Sequence, residues 1–172
     1  DALAPPLLRA AENVCLGHGL SGAHATFIEP DQLPLFEEAG WLLRSDIQFH
    51  WSNRGYSSFE DFLGELASRK RKDIRKERSL AQEGVDIRCL TGGQITADHW
   101  DYFWDFYQDT GARKWGQPYL TRSAFTLMGE RMADRILLVM AFIGDVPIAG
   151  ALNLIGRDAL YGRYWGCTVD KP

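Results

Sequence analysis

The chain has 172 residues, enough for one ordinary domain or two small ones, and its 45% hydrophobic and 12% aromatic content excludes a disordered or low-complexity segment. Nineteen basic and 23 acidic residues leave a net charge of −4, which argues against a general nucleic-acid binder. The three cysteines, Cys15, Cys89 and Cys167, are odd in number and lack metal-ligand spacing, so packed thiols in a reducing, cytoplasmic setting are expected.

Leu7, Leu8, Ala11, Val14 and Cys15 recur at helical spacing and predict a helix over 7–17, closed by Gly17 and Gly19. A short strand is expected over Ala23–Glu29. Asp31 stands where an N-cap belongs, ahead of Leu33, Leu35, Phe36 and Ala39, and Gly40 ends that helix. Residues 41–51 read as extended, with Ile47, Phe49 and Trp51 alternating against Asp46, Gln48 and His50. The turn-rich stretch 52–58 marks a boundary that divides 1–53 from 54–172.

Beyond it, one long helix is predicted from a Ser58 cap to Gln82, followed by a strand over Val85–Leu90 and a turn at Thr91-Gly92-Gly93. Asp98 caps an aromatic helix running to Thr110. A loop follows over Gly111–Leu120, and Thr121 caps another helix to Ala133. Three strands come last, joined by tight turns at Gly144-Asp145 and Gly156-Arg157-Asp158. Leu138, Met140 and Phe142 line one side of the first, and Leu137, Val139 and Ile143 the other, the pattern of a strand covered on both faces. Asp145 and Pro147 interrupt the longest apolar run, well short of the roughly 20 residues of a membrane span. The chain begins at Asp1, as a piece of a longer protein would.

Several groups could carry chemistry. Seven of the ten residues from Arg69 to Arg78 are Lys or Arg. On a continuous helix Phe59, Phe62, Leu63, Leu66 and Ile74 share an apolar face, from which Arg71, Lys72, Arg75 and Lys76 point away. The cations read either as a solvated face or as a ridge for phosphate groups. Lys70 falls within the apolar face, where it either snorkels or enters a pocket. Trp100, Phe103, Trp104 and Tyr107 form a core-facing stripe. The connection 112–119 combines two cations with Trp115 and Tyr119, a composition suited to substrate contact. Tyr161, Arg163 and Trp165 share a face of the last strand under strict alternation, next to Tyr164, and Asn153 is the polar side chain in the strand before it. An arginine among aromatics calls for a carboxylate, a phosphate or solvent. His18, His24, His50 and His99 have no metal-ligand spacing, and neither His50 nor Glu29 is singled out as a general base.

The run Phe36-Glu-Glu-Ala-Gly-Trp-Leu-Leu-Arg-Ser-Asp-Ile-Gln-Phe-His-Trp51 resembles the end of a GNAT acyltransferase domain, and Phe59 to Gly166 resembles the beginning of another. Gln48-Phe-His-Trp-Ser-Asn-Arg-Gly-Tyr56, Ser68-Arg-Lys-Arg-Lys-Asp-Ile-Arg-Lys-Glu-Arg78 and Tyr161-Gly-Arg-Tyr-Trp-Gly166 are similar to FemAB-like relatives of the Fem-type peptidoglycan aminoacyltransferases. The resemblance implies an α/β (α+β) fold with a GNAT-like mixed sheet, residues 1–53 ending one domain and 54–172 opening a second. It implies a bacterial acyl- or aminoacyl-transferase acting on an amine, with acyl-CoA or aminoacyl-tRNA as donor and a peptidoglycan precursor as acceptor. The Gln/Arg-x-x-Gly-x-Gly/Ala run with which acyl-CoA-using members bind pyrophosphate after the fourth strand does not occur in these residues.

On this reading Lys70, Trp115, Tyr119, Asn153, Tyr161, Arg163 and Tyr164 are the candidate substrate-binding residues. Arg69, Arg71, Lys72 and Arg75 are the candidate tRNA contacts. Unpaired strand edges invite a second copy, so a homodimer is expected. A recognition module that binds a precursor or peptide without turnover is the alternative.

Overall fold

A computed structural model describes residues 3–113 and 118–169, in two compact units, 1–55 and 56–172. In the first unit, α1 (Ala4–Gly17) and α2 (Leu33–Glu38) each carry proline in the first turn, where a missing N–H costs nothing. Leu33 starts α2 after Gln32 at the N-cap position, so Asp31 is not its cap; the Gln32 side chain accepts from the Glu29 N–H at 3.2 Å. The Trp41 indole N–H donates to Glu12 at 2.7 Å, and the Trp41 and Phe36 rings meet edge to face at 5.4 Å. The strand expected over Ala23–Glu29 does not form. Phe27 sits at φ 59°, a left-handed conformation that interrupts any extended run. Residues 41–51 likewise join no ladder, and Leu42 and Phe49 are 97% and 93% exposed.

The second unit opens with α3 (Phe59–Gly64) and α4 (Ser68–Gln82) instead of one long helix. Ser58 caps α3 by accepting from the Asp61 N–H at 3.1 Å, and Asp61 in turn accepts from Ser57. The helix breaks after Gly64, where Ala67 turns extended. The Arg71 guanidinium covers carbonyls freed there, donating to Leu66 at 3.0 Å and Gly64 at 3.4 Å. The break dissolves the continuous apolar face. α4 buries none of its residues, and Lys70 lies exposed on it.

β1 (Asp86–Leu90) leads through a 3-10 turn (Gly92–Gln94) into α5 (Ala97–Arg113). Asp98 lies inside the first turn of α5, and Thr96 and His99 close it reciprocally. The Thr96 N–H donates to His99 Nδ1 at 3.0 Å and the His99 N–H to the Thr96 hydroxyl at 3.5 Å. α6 (Arg122–Met132) follows Thr121, and a 3-10 turn precedes β2 (Ile136–Ile143), β3 (Val146–Ile155) and β4 (Leu160–Cys167). Gly144, at φ 59°, supplies the left-handed residue of the two-residue β2–β3 turn.

The sheet order is β1-β2-β3-β4, with every described pairing antiparallel, so the fold is α+β. Trp100, Phe103, Phe106 and Tyr107 of α5 and Phe125 of α6 bury one face of it, over Ile136, Leu138, Met140, Phe142 and Leu152. The opposite face of β2 differs from the expectation of two covered sides. Leu137, Val139 and Ala141 are only half-buried and Ile143 is exposed.

α5 lies so close to β4 that a Cβ at Gly166 would run into the Phe106 carbonyl and the Thr110 hydroxyl. Backbone there cannot yield without moving the helix. Gly166→Ala is therefore expected to cost about 3 kcal/mol in urea unfolding. Gly162→Ala, whose Cβ would meet only Asn153 at 3.6 Å, should stay within about 0.5 kcal/mol of the parent.

Candidate functional site

The register of β3 against β4 decides which side chains meet. Gly150, Ala151 and Leu152 pair with Gly166, Trp165 and Tyr164, but Asn153 pairs with Gly162, so Arg163 is an extra, bulged residue. Beyond the bulge Leu154 pairs with Tyr161. Tyr161, Tyr164 and Gly166 therefore occupy helix-side positions, while Gly162 and Trp165 occupy the opposite face. The common face expected for Tyr161, Arg163 and Trp165 does not exist, because one inserted residue shifts a period of two. Asn153 is engaged at the bulge, its amide donating to the Leu137 carbonyl at 3.1 Å and the Ala151 carbonyl at 3.2 Å.

The bulge aims Arg163 at the loop that follows α5. Its guanidinium donates to the Tyr119 hydroxyl and lies over the Tyr164 ring, 4.4 Å from the centroid. The Tyr119 and Tyr164 hydroxyls are hydrogen-bonded to each other. Behind them Tyr107 packs edge-on against Tyr164 at 5.2 Å, and its hydroxyl accepts from the Leu120 N–H at 3.2 Å, which seats the loop. Three sequence candidates, Tyr119, Arg163 and Tyr164, thus form one cluster, with Tyr107 as a buried support that reads as plain core in the sequence. At the far end of β4, Thr110 donates to the Trp165 carbonyl at 3.2 Å and Arg113 to the Cys167 carbonyl at 2.6 Å.

Tyr161 packs over Gly156 at the other end of the strand, and Lys70 stands on exposed α4, so neither contributes to the cluster. Trp115 lies outside the described residues. Among the described residues no carboxylate pairs with Arg163. Its guanidinium keeps N–H donors available for an incoming carboxylate or phosphate, held in plane by the ring beneath. No His, Cys, Asp or Glu group among the described residues is arranged to hold a metal, and no helix there is long and apolar enough to cross a membrane.

The basic run divides into two stripes. Arg71, Arg75 and Arg78 lie on one side of α4 and all have partners within the fold: the Gly64 and Leu66 carbonyls, Glu60, and the Phe59 ring at 4.6 Å. The Arg75 guanidinium holds the Glu60 carboxyl below its usual range. Arg69, Lys72 and Lys76, at i, i+3 and i+7, form a second stripe of exposed cations.

The FemAB-like family model, described as peptidoglycan biosynthesis/recognition, matches residues 1–172. The chain belongs to the FemAB-like family. Its role is accordingly peptidoglycan-related. A search of curated proteins finds no match.

Burial, and then the hydrogen bond that Tyr164 donates to Tyr119, push the Tyr164 phenol well above the ordinary tyrosine range. It therefore remains an O–H donor throughout the neutral range. A folded-state pKa raised above the unfolded value near 10 stabilises the fold below that pH, a contribution lost as pH rises above it. The parent-minus-Tyr164→Phe absorbance difference at 295 nm should rise only well above pH 10, and the substitution should flatten the alkaline loss of stability.

Proposed function

We propose that this FemAB-like chain serves an acyl- or aminoacyl-transferase that modifies an amine of a peptidoglycan precursor, with the Arg163 cluster holding an anionic group of the acceptor. The observation that carries this reading is a guanidinium seated on Tyr164 and Tyr119 with no carboxylate partner among the described residues. In the reaction the acceptor nitrogen attacks the carbonyl carbon of an activated ester or thioester. The C–N bond forms, the bond to the donor oxygen or sulfur breaks, and the amine proton leaves to solvent or to the departing group. Positioning by Arg163 and main-chain donation to the developing oxyanion supply the acceleration, with no covalent enzyme intermediate. Tyr164 donates to the Tyr119 hydroxyl, and Tyr119, whose own proton is then left, acts as the hydroxyl donor to the same anion. In this reading residues 1–53 and 54–172 belong to two GNAT-like domains, and the division of the chain near Gly55 supports it.

One observation favours the second reading, a recognition module: the cluster contains no carboxylate or imidazole that could take up the amine proton. Thermal-shift and calorimetric titration with a soluble peptidoglycan precursor, acetyl-CoA, CoA and a charged-tRNA analogue separates the two. Precursor binding that Arg163→Ala weakens at least tenfold, together with product formation from one of the donors, is the expected result. Binding without turnover on any donor would establish the recognition module, and precursor affinity indifferent to Arg163 would remove the cluster from the site.

The exposed stripe on α4 narrows the tRNA expectation. Arg71 and Arg75 are occupied within the fold, which leaves Arg69, Lys72 and Lys76 as the phosphate contacts. Replacing these three by alanine should lower the slope of log affinity for the tRNA analogue against log salt by about 2–3. An unchanged slope would assign the stripe to solvation alone. The edge of β4, which pairs with no further strand among the described residues, is where a second copy would add its own strand, an association that light scattering at high concentration reads as doubled mass.

A further inference from the structure

Hydrogen-bond donors dominate the cluster at the β4 bulge. The Tyr119 oxygen accepts from Arg163 Nη2 and from the Tyr164 phenol. With both acceptor positions filled, its own proton serves neither neighbour, and an outside acceptor is needed to use it. A guanidinium has two edges that each present a pair of parallel N–H groups. Tyr119 takes one N–H of Nη2, which leaves one edge with both of its donors. The Tyr164 ring lies 4.4 Å from the guanidinium carbon and closes one face of that plane, so the free edge is held in advance of any ligand. Arg163 and Tyr119 are both exposed, and the unused donors are open to solvent.

We propose that this seat takes a single carboxylate and discriminates against phosphate. The inference rests on the reading of the cluster as the acceptor's anion site, and it narrows the acceptor to molecules that present a carboxylate there. Shape alone does not separate the two anions, since a guanidinium edge matches two oxygens of either. Charge does. A phosphate monoester carries about −1.5 to −2 near neutral pH, whereas Arg163 is the one cation in the described cluster. Arg113, at the other end of the same strand, is taken up by Asp109 and the Cys167 carbonyl. A carboxylate brings one negative charge and two coplanar oxygens, which the free edge covers, with a lone pair left for the Tyr119 O–H. A cationic group finds no counter-charge among the described residues of the cluster.

The test is titration of the full chain with N-acetylalanylalanine, which carries a main-chain carboxylate, and N-acetylglutamate α-amide, which carries one on a side chain. N-acetylalanylalanine amide and methyl phosphate are the controls, and the Arg163 Nε–H resonance is the readout. Saturable binding of at least one carboxylate is expected, the tighter of the two naming its source, with both controls weaker by about fivefold or more. Arg163→Ala should weaken the carboxylate by about tenfold, and Arg163→Lys by about fivefold, because a point charge replaces a planar edge. Tyr119→Phe should cost about threefold. Arg157→Ala, an equal charge loss in the exposed β3–β4 turn, should leave affinity unchanged. Methyl phosphate binding as tightly as the carboxylates, or carboxylate affinity indifferent to Arg163 or Tyr119, would overturn the proposal. A soluble peptidoglycan precursor titrated in parallel tells the two failures apart. If it still binds through Arg163, the acceptor reading stands and the carboxylate is wrong; if its affinity ignores Arg163, both fall.

Discussion

The closeness of α5 to the sheet governs the second unit. At Gly150 an added Cβ would lie 2.9 Å from the Phe103 ring and 3.2 Å from Phe106, and at Gly166 it would strike helix backbone. On the other side Gly129 of α6 leaves space for the Trp100 indole. Glycine at these three places lets an aromatic helix sink between sheet and neighbouring helix, and fully buried Phe103 and Phe125 are the result. Dense packing of this kind resists displacement, because shifting one ring requires moving several. The hydroxyl of Thr110 and the guanidinium of Arg113 then reach β4 carbonyls, so the edge strand is held by side chains of α5 as well as by β3.

A strand held so firmly at one end accommodates an extra residue only where the restraint stops. The bulge falls at Arg163, beyond Tyr164, and Asn153 supports it by taking up main-chain carbonyls. The functional cluster is thus a consequence of register: without the inserted residue, Arg163 would alternate with Tyr164 onto the opposite face, away from Tyr119. Tyr107 links the two levels. It belongs to the core through Phe125, at 5.3 Å, and to the site through Tyr164 and the Leu120 N–H.

The meander was legible in the sequence because turn chemistry at Gly144-Asp145 and alternation along 136–143 point the same way. The aromatic stripe of α5 was legible for the same reason, although Phe106 joins it unannounced. The break after Gly64 was not, since the apolar spacing from Phe59 to Ile74 continues through it and only the capping of freed carbonyls by Arg71 makes the interruption affordable. Residues 41–51 show the converse error: alternation predicts a strand, but a strand needs a partner edge, and none pairs with it among the described residues. Tyr119, Arg163 and Tyr164 were each visible as unusual residues in their own segments. Their union was not, because a bulge leaves no signature in hydrophobic pattern.

Charge placement separates residues that hold the fold from residues left for something else. Acidic residues outnumber basic ones, 23 to 19, so a cation near the surface has partners at hand. Arg75, Arg88, Arg113 and Arg122 take them, pairing with Glu60, Asp86, Asp109 and Asp101. Exposed pairs of this kind contribute little stability each, so they do not explain why acids stand beside some arginines and not others. Arg163 is set on two tyrosines instead of a carboxylate, and Arg69, Lys72 and Lys76 lie exposed on α4. A cation paired within the chain must exchange that partner for a ligand, whereas one resting on an aromatic ring exchanges only water. Withholding a carboxylate from Arg163 in an acid-rich chain keeps its guanidinium available at low cost, on a wall of aromatic rings supplied by Tyr164 and Tyr107.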